Sequence, residues 1–281
     1  MKVYRQQDAL RRGLEERRGS LGFVPTMGAL HAGHLSLVRR AQADHEEVAV
    51  SIFVNPLQFG TGEDLEDYPR TEEADLEKLA AEGVDHVLIG ETTDLYPEGF
   101  CTRIEVQGDV AQVLEGERRP GHFVGVCTVV AKLLNLFQPD EAYFGWKDFQ
   151  QVCVLRRMVA DLQIPVAIQA CPIEREADGL AMSSRNRFLG PENRRKAAGI
   201  HAALLAAREE ASAGQDQARV LCEGVARRLG GDFDVEYVEV RDERDFSLIG
   251  SLAEAPSHAR MLLVARLGGV RLLDNLLLHV R

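Results

Sequence analysis

The sequence predicts an α/β protein: a parallel sheet domain with helices on both faces, followed by a smaller α+β C-terminal domain. Two observations carry this prediction. Short apolar runs alternate with helix-like patterns over the first part of the chain, which is typical of βαβ units around a parallel sheet. After about residue 173 the alternation stops, and two helical stretches precede three strands. With 281 residues, the chain is long enough for two unequal domains.

The predicted strands are short runs of β-branched, aromatic and other apolar residues, as expected for strands buried on both faces. In the first domain they are residues 21–26, 47–55, 85–90, 141–145 and 165–170. The helices predicted in the same domain are residues 34–45, 71–83, 123–137 and 149–162. Leu35, Val38 and Ala41 share one face of the first helix, and Thr71 is predicted to cap the second. The second domain is predicted to contain helices 191–212 and 217–230 and strands 234–242, 259–268 and 270–280.

Composition and charge narrow the class of function. The net charge of -11 at pH 7 opposes binding to a polyanion, because nucleic-acid affinity depends largely on Lys and Arg side chains that neutralise phosphates. No apolar run approaches the roughly 20 residues that span a bilayer, and the first residues show no apolar signal core. The five cysteines are far apart and odd in number, which favours reduced thiols. We expect a cytoplasmic protein that binds neither nucleic acid nor membranes.

The segment GFVPTMGALHAGHLSLVRRA, residues 22–41, places two histidines where a predicted strand gives way to a helix. Ligands bind at the carboxyl ends of the strands in sheets of this kind. If the helix begins near Gly33, its first N–H groups and positive dipole end form an anion site, to which His31 and His34 would add donors. Two other interpretations stay open at this point. The residues could be a surface histidine and a helix cap, or a pair of metal ligands whose third partner is not nearby in the sequence.

Six segments that follow one another along the chain resemble a known family. FVPTMGALHAGHLSLV contains the H-x-G-H element of the nucleotidylyl-transferase superfamily. The other five are SIFVNPLQFG, DLEDYPRT, RRPGHFVGVCTVVAKLLNL, FGWKDFQQ and READGLAMSSRN. In this order and spacing they resemble the pantoate–β-alanine ligase (pantothenate synthetase) family. The motifs that carry the resemblance lie within residues 20–190, and the rest of the chain resembles the family less closely. The resemblance implies ATP-dependent ligation of pantoate and β-alanine to pantothenate through a pantoyl-adenylate intermediate, with release of AMP and pyrophosphate.

The resemblance also implies domains and site residues. Residues 1–173 would form a Rossmann-like domain that binds ATP and pantoate, and residues 174–281 a smaller α+β lid domain. The residues implied in catalysis are His31, His34, Lys147 and Arg185, with His34 as the proton donor. The residues implied in ATP binding are Met27, Gly28, Ala29, Leu30, His31, Ala32, Gly33, His34, Gly145, Trp146, Lys147, Asp148, Glu174, Met182, Ser183, Ser184 and Arg185. Gln58 and Gln151 would bind pantoate, and Gln58 would also bind β-alanine.

The chemistry of these residue types agrees with the implied reaction. Lys147 is a natural partner for ATP phosphates, and the hydroxyls and guanidinium of SSR, residues 183–185, match triphosphate oxygens. Glutamine suits a substrate with hydroxyl groups and a carboxylate, because its amide both donates and accepts hydrogen bonds without adding charge. Arg119, in the basic loop ERRPGHF, is a weaker candidate for a role near the substrates.

Two positions depart from the family pattern. Trp146 stands where Glu is common, so this side chain either packs or stacks on part of the ligand. Glu174 stands where a small apolar residue is usual, a change that a main-chain contact to ATP would tolerate. The triphosphate implies Mg²⁺, for which no ligand is named, although Asp75 and Asp148 are candidates for indirect contact. The family also implies a homodimer.

Two alternative functions stay open. The first is another H-x-G-H adenylyl transferase or a synthetase that acts on tRNA or a nucleotide. The acidic net charge and the SSR sequence in place of a lysine-centred loop argue against the tRNA version. The second is a non-catalytic nucleotide-binding module, which would leave Gln58 and Gln151 without a role.

Overall fold

The computed structural model describes residues 1–17, 19–255 and 257–278. The chain divides into two compact units. The first unit comprises the described residues of 1–146 and 150–172. The second comprises residues 147–149 and the described residues from 173 onward. The short segment Lys147–Phe149 is thus separated in sequence from the rest of its unit.

The first unit is built around a six-stranded parallel sheet with the strand order β1-β4-β3-β2-β5-β6. The strands are β1 (Lys2–Tyr4), β2 (Leu21–Thr26), β3 (Glu47–Ile52), β4 (His86–Ile89), β5 (Glu141–Gly145) and β6 (Ala167–Cys171). The helices are α1 (Gln7–Glu15), α2 (Ala32–Asp44), α3 (Glu72–Glu82), α4 (Thr92–Leu95), α5 (Asp109–Gln112), α6 (Glu115–Arg118), α7 (His122–Phe137) and α8 (Phe149–Asp161). The prediction of an α/β fold with a parallel sheet is confirmed.

Helices cover both faces of this sheet. Phe23 on β2 belongs to a buried cluster that includes side chains of α1, α7 and α8. Its neighbour Val24 belongs to a second cluster, with side chains of α2 and α3. Successive side chains of a strand point to opposite faces, so the two clusters lie on opposite sides of the sheet. Burial on both faces explains why these strands are almost continuously apolar in sequence.

The second unit contains a three-stranded antiparallel sheet with the order β7-β8-β9. The strands are β7 (Asp234–Asp242), β8 (Ala259–Leu267) and β9 (Val270–Leu277), and the helices are α9 (Pro191–Ala197), α10 (Gly199–Ser212) and α11 (Ala218–Leu229). Leu204 of α10, Leu221 of α11 and Met261 of β8 are fully buried in one shared core. The predicted smaller α+β C-terminal domain is therefore confirmed as a fold class.

Several boundaries differ from the sequence predictions. β1 and α1 were not predicted, because β1 is a three-residue edge strand whose first residues are exposed and show no apolar pattern. The strand predicted at 47–55 ends at Ile52, since the chain leaves the sheet before Pro56. The single helix predicted at 191–212 is two helices, interrupted at Ala198 just before Gly199, a residue with poor helix propensity. The last residues of the strand predicted at 270–280 lie outside the described residues.

Thr71 occupies the predicted N-cap position of α3, but its side chain does not cap the helix. The Thr71 hydroxyl instead donates to the Asp75 carboxylate, 3.0 Å away. Among the described residues, no helix combines the length and the apolar character needed to cross a membrane.

Candidate active site

The two histidines of H-x-G-H form the start of α2. The helix begins at Ala32, one residue earlier than expected, and His31 is its N-cap residue. His31 Nδ1 accepts a hydrogen bond from the Gly33 amide at 3.1 Å, and His34 Nδ1 accepts one from the His31 amide at 3.3 Å. This is a reciprocal capping box in which imidazoles take the usual places of Ser and Glu. The two ring centroids lie 4.1 Å apart.

The capping box fixes the protonation pattern of both rings. A ring nitrogen that accepts from a backbone N–H carries no proton, so each neutral imidazole carries its proton on Nε2. The imidazoles therefore occupy N–H groups at the start of the helix that were expected to bind an anion directly. A helix cap, which was one of the open interpretations of this pair, is present, and it leaves each ring with an Nε2–H donor.

The loop before this helix adopts an unusual backbone. Gly28 and Ala29 both have positive φ, at 82° and 50°. The amides of Ala29 and Leu30 each donate to the Asp75 carboxylate at 2.8 Å. These two amides of the predicted ATP loop are thus bound to protein. Met27, at the beginning of the loop, places its sulfur 3.1 Å from the side-chain nitrogen of Gln58.

Gln58 lies in a 3₁₀ turn, Pro56–Gln58, where its side chain is oriented by a neighbour that the sequence analysis did not identify. Asn55 is buried, and its amide nitrogen donates to Gln58 Oε1 at 3.0 Å and to the Gly125 carbonyl at 3.1 Å. Asn55 Oδ1 accepts from the Tyr96 hydroxyl at 2.8 Å. The Gln58 side chain is therefore held with its oxygen toward Asn55 and its NH₂ group toward Met27.

The main chain of Gln58 is braced from the other side. His122 Nδ1 donates to the Gln58 carbonyl at 2.8 Å, and Arg119 donates to His122 Nε2 at 3.1 Å. Arg119 is in turn paired with Glu63 at 2.6 Å. Burial, followed by the charge of Arg119, lowers the pKa of His122 to about 4. His122 is therefore neutral near pH 7. Arg119, which was predicted to lie near the substrates, therefore supports the Gln58 main chain through His122.

A close backbone approach completes this region. Gly125 in α7 lies so near the turn that a Cβ at this position would be 2.2 Å from the Leu57 carbonyl oxygen. No side chain fits at that distance, so glycine is required for the helix to pack against the turn.

The remaining predicted residues of the first unit surround the end of β5. Gly145 is the last residue of this strand. Trp146 packs against the apolar core of the unit, and the Arg156 guanidinium lies 5.2 Å above its ring. Gln151 lies half-buried in the first turns of α8. Its neighbour Gln150 is buried and bonded to the main chain of the segment around α5 and α6, so only Gln151 of this pair is available for a ligand role.

In the second unit, predicted ATP-binding residues line one cavity. This cavity is lined by Lys147, Ser183 and Arg185, together with Arg271 and Asp274 of β9. Lys147 Nζ is 3.3 Å from Asp148 Oδ1. The structure thus brings together Lys147 and the SSR sequence, which are far apart along the chain.

The MSSR segment follows a short hairpin, residues 174–182, in which Arg175 pairs with Ala181 in antiparallel orientation. Ser183 caps the 3₁₀ helix Ser184–Phe188 by accepting from the Arg185 amide at 3.3 Å. The Met182 amide donates to the Glu174 carbonyl at 2.9 Å, so Glu174 takes part through its main chain. Arg175, which follows Glu174 in the chain, forms a bidentate ion pair with Asp274 at 2.6 and 2.8 Å. Asp274 is almost fully buried. This ion pair fastens the base of the hairpin to β9.

The donors in both regions are suited to an anion. Imidazole N–H, ammonium and guanidinium groups bind phosphate oxygens and do not ligate a magnesium ion. Within the described ranges, the structure contains no group of three His, Cys, Asp or Glu side chains arranged to hold a metal ion.

Comparison with known proteins gives one consistent result. A family model described as Pantoate-beta-alanine ligase matches residues 2–277. The pantothenate synthetase of Cereibacter sphaeroides (strain ATCC 17029 / ATH 2.4.9) is 50% identical over 258 residues, which cover 92% of this chain and 91% of that protein. The pantothenate synthetase of Mycolicibacterium smegmatis is 48% identical over 273 residues, covering 97% of this chain and 85% of that protein.

Solved structures agree with these relatives. The pantothenate synthetase of Thermus thermophilus matches with a TM-score of 0.95 and 44% identity, covering 99% of this chain and 100% of that chain. The pantoate-beta-alanine ligase of Francisella tularensis, solved in complex with beta-gamma ATP and beta-alanine, matches with a TM-score of 0.82 and 34% identity. It covers 99% of this chain and 97% of that chain.

Proposed function

We propose residue roles on the premise that this chain belongs to the pantoate-beta-alanine ligase family. It is an enzyme that binds ATP and ligates pantoate and β-alanine to pantothenate. The observation that carries our residue-level proposal is the capping box at the start of α2, which fixes an Nε2–H donor on both His31 and His34.

In the proposed first step, a carboxylate oxygen of pantoate attacks the α-phosphorus of ATP. A carboxylate–phosphorus bond forms, the bond from the α-phosphorus to the bridging oxygen breaks, and pyrophosphate leaves with its electrons. Negative charge then grows on the departing group. An Nε2–H donor stabilises this charge best when its position is fixed beforehand, because no reorganisation is then needed during the reaction. We assign His34 to the departing pyrophosphate as a hydrogen-bond donor through Nε2–H, and His31 to holding ATP. Transfer of a proton, the role that the family resemblance implies for His34, would require its imidazolium form.

The helix start strengthens these donors. In each ring a backbone N–H donates to Nδ1, which polarises the Nε2–H group on the far side of the ring. The positive end of the α2 dipole acts in the same direction. The imidazoles thus extend the anion-attracting character of the helix N-terminus toward the phosphates without adding formal charge.

Gln58 and Gln151 are proposed to bind pantoate, and Gln58 also β-alanine. Because Asn55 holds Gln58 Oε1, the Gln58 NH₂ group is the part directed away from Asn55. An NH₂ group donates to a carboxylate or hydroxyl oxygen, which both substrates provide through their carboxylates. The orientation therefore supports Gln58 as a hydrogen-bond donor to substrate.

Further ATP contacts are proposed around the phosphates. Lys147 and Arg185 supply positive charge in catalysis, and Ser183 and Ser184 supply donors, with the support that Lys147, Ser183 and Arg185 line one cavity. The remaining proposed contacts are Met27, Gly28, Ala29, Leu30, Ala32, Gly33, Gly145, Trp146, Asp148, Glu174 and Met182. Mg²⁺ is proposed to enter with ATP, held by phosphate oxygens and water with at most one or two carboxylates.

In the second step the amine of β-alanine attacks the carbonyl carbon of the pantoyl-adenylate. A C–N bond forms, the bond between that carbon and the AMP oxygen breaks, and the amine loses a proton. We propose that residues 1–173 act as the catalytic domain, while residues 174–281 act as a lid carrying the MSSR segment. We further propose that the enzyme is cytoplasmic, with the support that its five cysteines, all within the described residues, form no disulfide. The homodimer is proposed from the family resemblance alone.

Exchange of labelled pyrophosphate into ATP tests the first step directly. Pantoate should support the exchange without β-alanine, and a panel of amino acids should not. Adding β-alanine should then yield pantothenate and AMP in equal amounts, measured by mass spectrometry. Pantothenate formation without any pantoate-dependent exchange, under conditions where pyrophosphate binds, would contradict the adenylate route. Sedimentation at several concentrations tests the dimer.

A further inference from the structure

Asp75 is a carboxylate that lies in the protein interior, where apolar side chains are the usual residents. It lies in the first turn of α3, and none of its surface is exposed to solvent. A buried charged group is stable only when it is hydrogen-bonded or paired. Its partners therefore reveal what the side chain holds in place.

The partners of Asp75 lie mostly in the loop that precedes His31. Oδ2 accepts from the Ala29 amide and Oδ1 from the Leu30 amide, both at 2.8 Å. Thr71 adds a third bond at 3.0 Å. Lys78 reaches the same loop from α3 by donating to the Leu30 carbonyl at 2.7 Å, while its ammonium lies 3.8 Å from Asp75.

The loop backbone is shaped around this carboxylate. Successive backbone N–H groups in a turn of this kind can point toward one place and form a concavity that binds an anion. The φ of 50° at Ala29 is sterically unfavourable for alanine, and glycine would adopt it without this strain. At Gly28 the φ of 82° favours glycine, and a Cβ there would make a tight contact of 3.2 Å with Asp75 Oδ2. The Asp75 carboxylate is thus the anion that the Ala29 and Leu30 amides of this loop bind.

We propose that Asp75 is a positioning residue for ATP: its carboxylate fixes Ala29 and Leu30, and thereby sets the backbone that leads into the capping box of His31 and His34. It touches no reacting atom in this proposal. The inference rests on the proposed role of His31 and His34 toward the ATP phosphates. It also directs the phosphates to the imidazole side of the loop, because the Ala29 and Leu30 amides already have an anionic partner.

Asp75→Asn tests this inference. The amide side chain has one acceptor oxygen, and its NH₂ group faces a loop N–H that needs an acceptor, so one of the two loop bonds is lost. The KM for ATP should rise, and the rate of pantoate-dependent pyrophosphate exchange should fall, each by about tenfold or more. The KM for β-alanine, measured in the second step with preformed pantoyl-adenylate, should stay within twofold.

Asp85→Asn is the matched control. Asp85 also accepts from a backbone amide, that of Val48 at 2.8 Å, but at the start of β3, the end of the sheet opposite to the ATP loop. Asp85→Asn should lower the melting temperature by an amount similar to that of Asp75→Asn and leave the KM for ATP unchanged. Thr71→Val, which removes only the third bond to Asp75, is a milder variant for the case that Asp75→Asn does not fold. It should shift the KM for ATP in the same direction by a smaller factor.

The outcomes separate cleanly. Asp75→Asn or Thr71→Val with an unchanged KM for ATP and a lower melting temperature would show that Asp75 only stabilises the fold. Equal kinetic effects of Asp75→Asn and Asp85→Asn would overturn the inference as well. A wild-type enzyme without pantoate-dependent exchange would instead contradict the proposed first step, which is a different failure.

Discussion

Two segments of the chain are proposed to bind ATP, and the structure holds them in different ways. In the first unit, the loop 27–34 is fixed by polar groups within it and directly against it, namely Asp75 and the two capping imidazoles. In the second unit, the segment 182–188 follows a hairpin that is fastened at its base by the buried pair Arg175–Asp274. One segment is thus positioned by polar groups along its length, whereas the hairpin that leads into the other is anchored by a buried ion pair. The contrast predicts that local substitutions harm chemistry in the first segment and stability in the second.

His34→Asn is expected to have the largest effect. The Asn oxygen can replace Nδ1 as the acceptor for the His31 amide, so the helix cap is kept, while the Nε2–H donor is lost. The rate of pantoate-dependent pyrophosphate exchange should fall by about 100-fold to 1,000-fold. The melting temperature should change little. A rate within tenfold of wild type would show that the imidazole serves the helix and not the phosphates.

Asp274→Asn should produce the largest loss of stability. It leaves the partly buried Arg175 without its charged partner, which typically costs about 3 kcal/mol or more of unfolding free energy. Urea unfolding measures the change. Asp178→Asn is the control on the same hairpin, because Asp178 pairs with Arg194 at the exposed surface and should cost under about 1 kcal/mol. Equal losses for the two variants would contradict the assignment of Arg175–Asp274 as the main anchor of the hairpin.

Stability should depend on pH through His122, the residue that braces the Gln58 main chain. Its pKa is about 4 in the folded chain and has an ordinary value of 6.5. Between these values the unfolded chain binds a proton that the folded chain does not, so stability is lost as the pH falls from 6.5 to 4. The expected loss is up to about 3 kcal/mol, and this group contributes no loss above that window.

His122→Asn is the matched variant for this dependence, because an Asn NH₂ group can still donate to the Gln58 carbonyl but does not titrate. Its unfolding free energy should fall less between pH 6.5 and 4 than that of the wild type. His201, whose pKa burial also lowers, should leave a residual dependence in both proteins. Identical pH profiles for the two proteins would place the titration elsewhere.

Tyr96→Phe should give the smallest effect. It removes the hydroxyl donor to Asn55 Oδ1, while the Leu57 amide still donates to the same oxygen. The KM for pantoate should rise by roughly twofold to fivefold, since one neutral hydrogen bond contributes about 1 kcal/mol. Tyr143→Phe is the control, because that hydroxyl bonds to Asp44 and Glu141. Tyr143→Phe should leave the KM for pantoate unchanged.

Periodicity predicted the parallel sheet, the helices that cover it and the change to a smaller α+β domain, because buried strands and amphipathic helices leave a direct trace in the order of apolar residues. It could not predict β1, which is short and exposed. The helix break at Ala198 also escaped prediction, since a single glycine in an apolar pattern is often tolerated. These errors concern weak local signals.

Some site residues were identified from sequence motifs, and others were missed. His31 and His34 were identified from their motif, but their role as mutual caps depends on ring orientations that no spacing specifies. Asn55 and Asp75 were missed as organising residues, although both lie in segments that were recognised. Asp75 acts on residues more than 40 positions away, and Asn55, in a loop, contacts Gly125 in α7. Contacts of this kind arise only when the sheet brings loops together, so a single sequence carries no direct signal for them.

Trp146 has a practical consequence. It is the only tryptophan in the chain, and it directly precedes Lys147. Selective excitation of its indole therefore reports on one place in the molecule, beside a residue proposed to meet the triphosphate. The departure from the family pattern at this position supplies the enzyme with a native fluorophore. Titration with nucleotide can thus be followed by emission, without an attached dye and without altering a single atom of the protein.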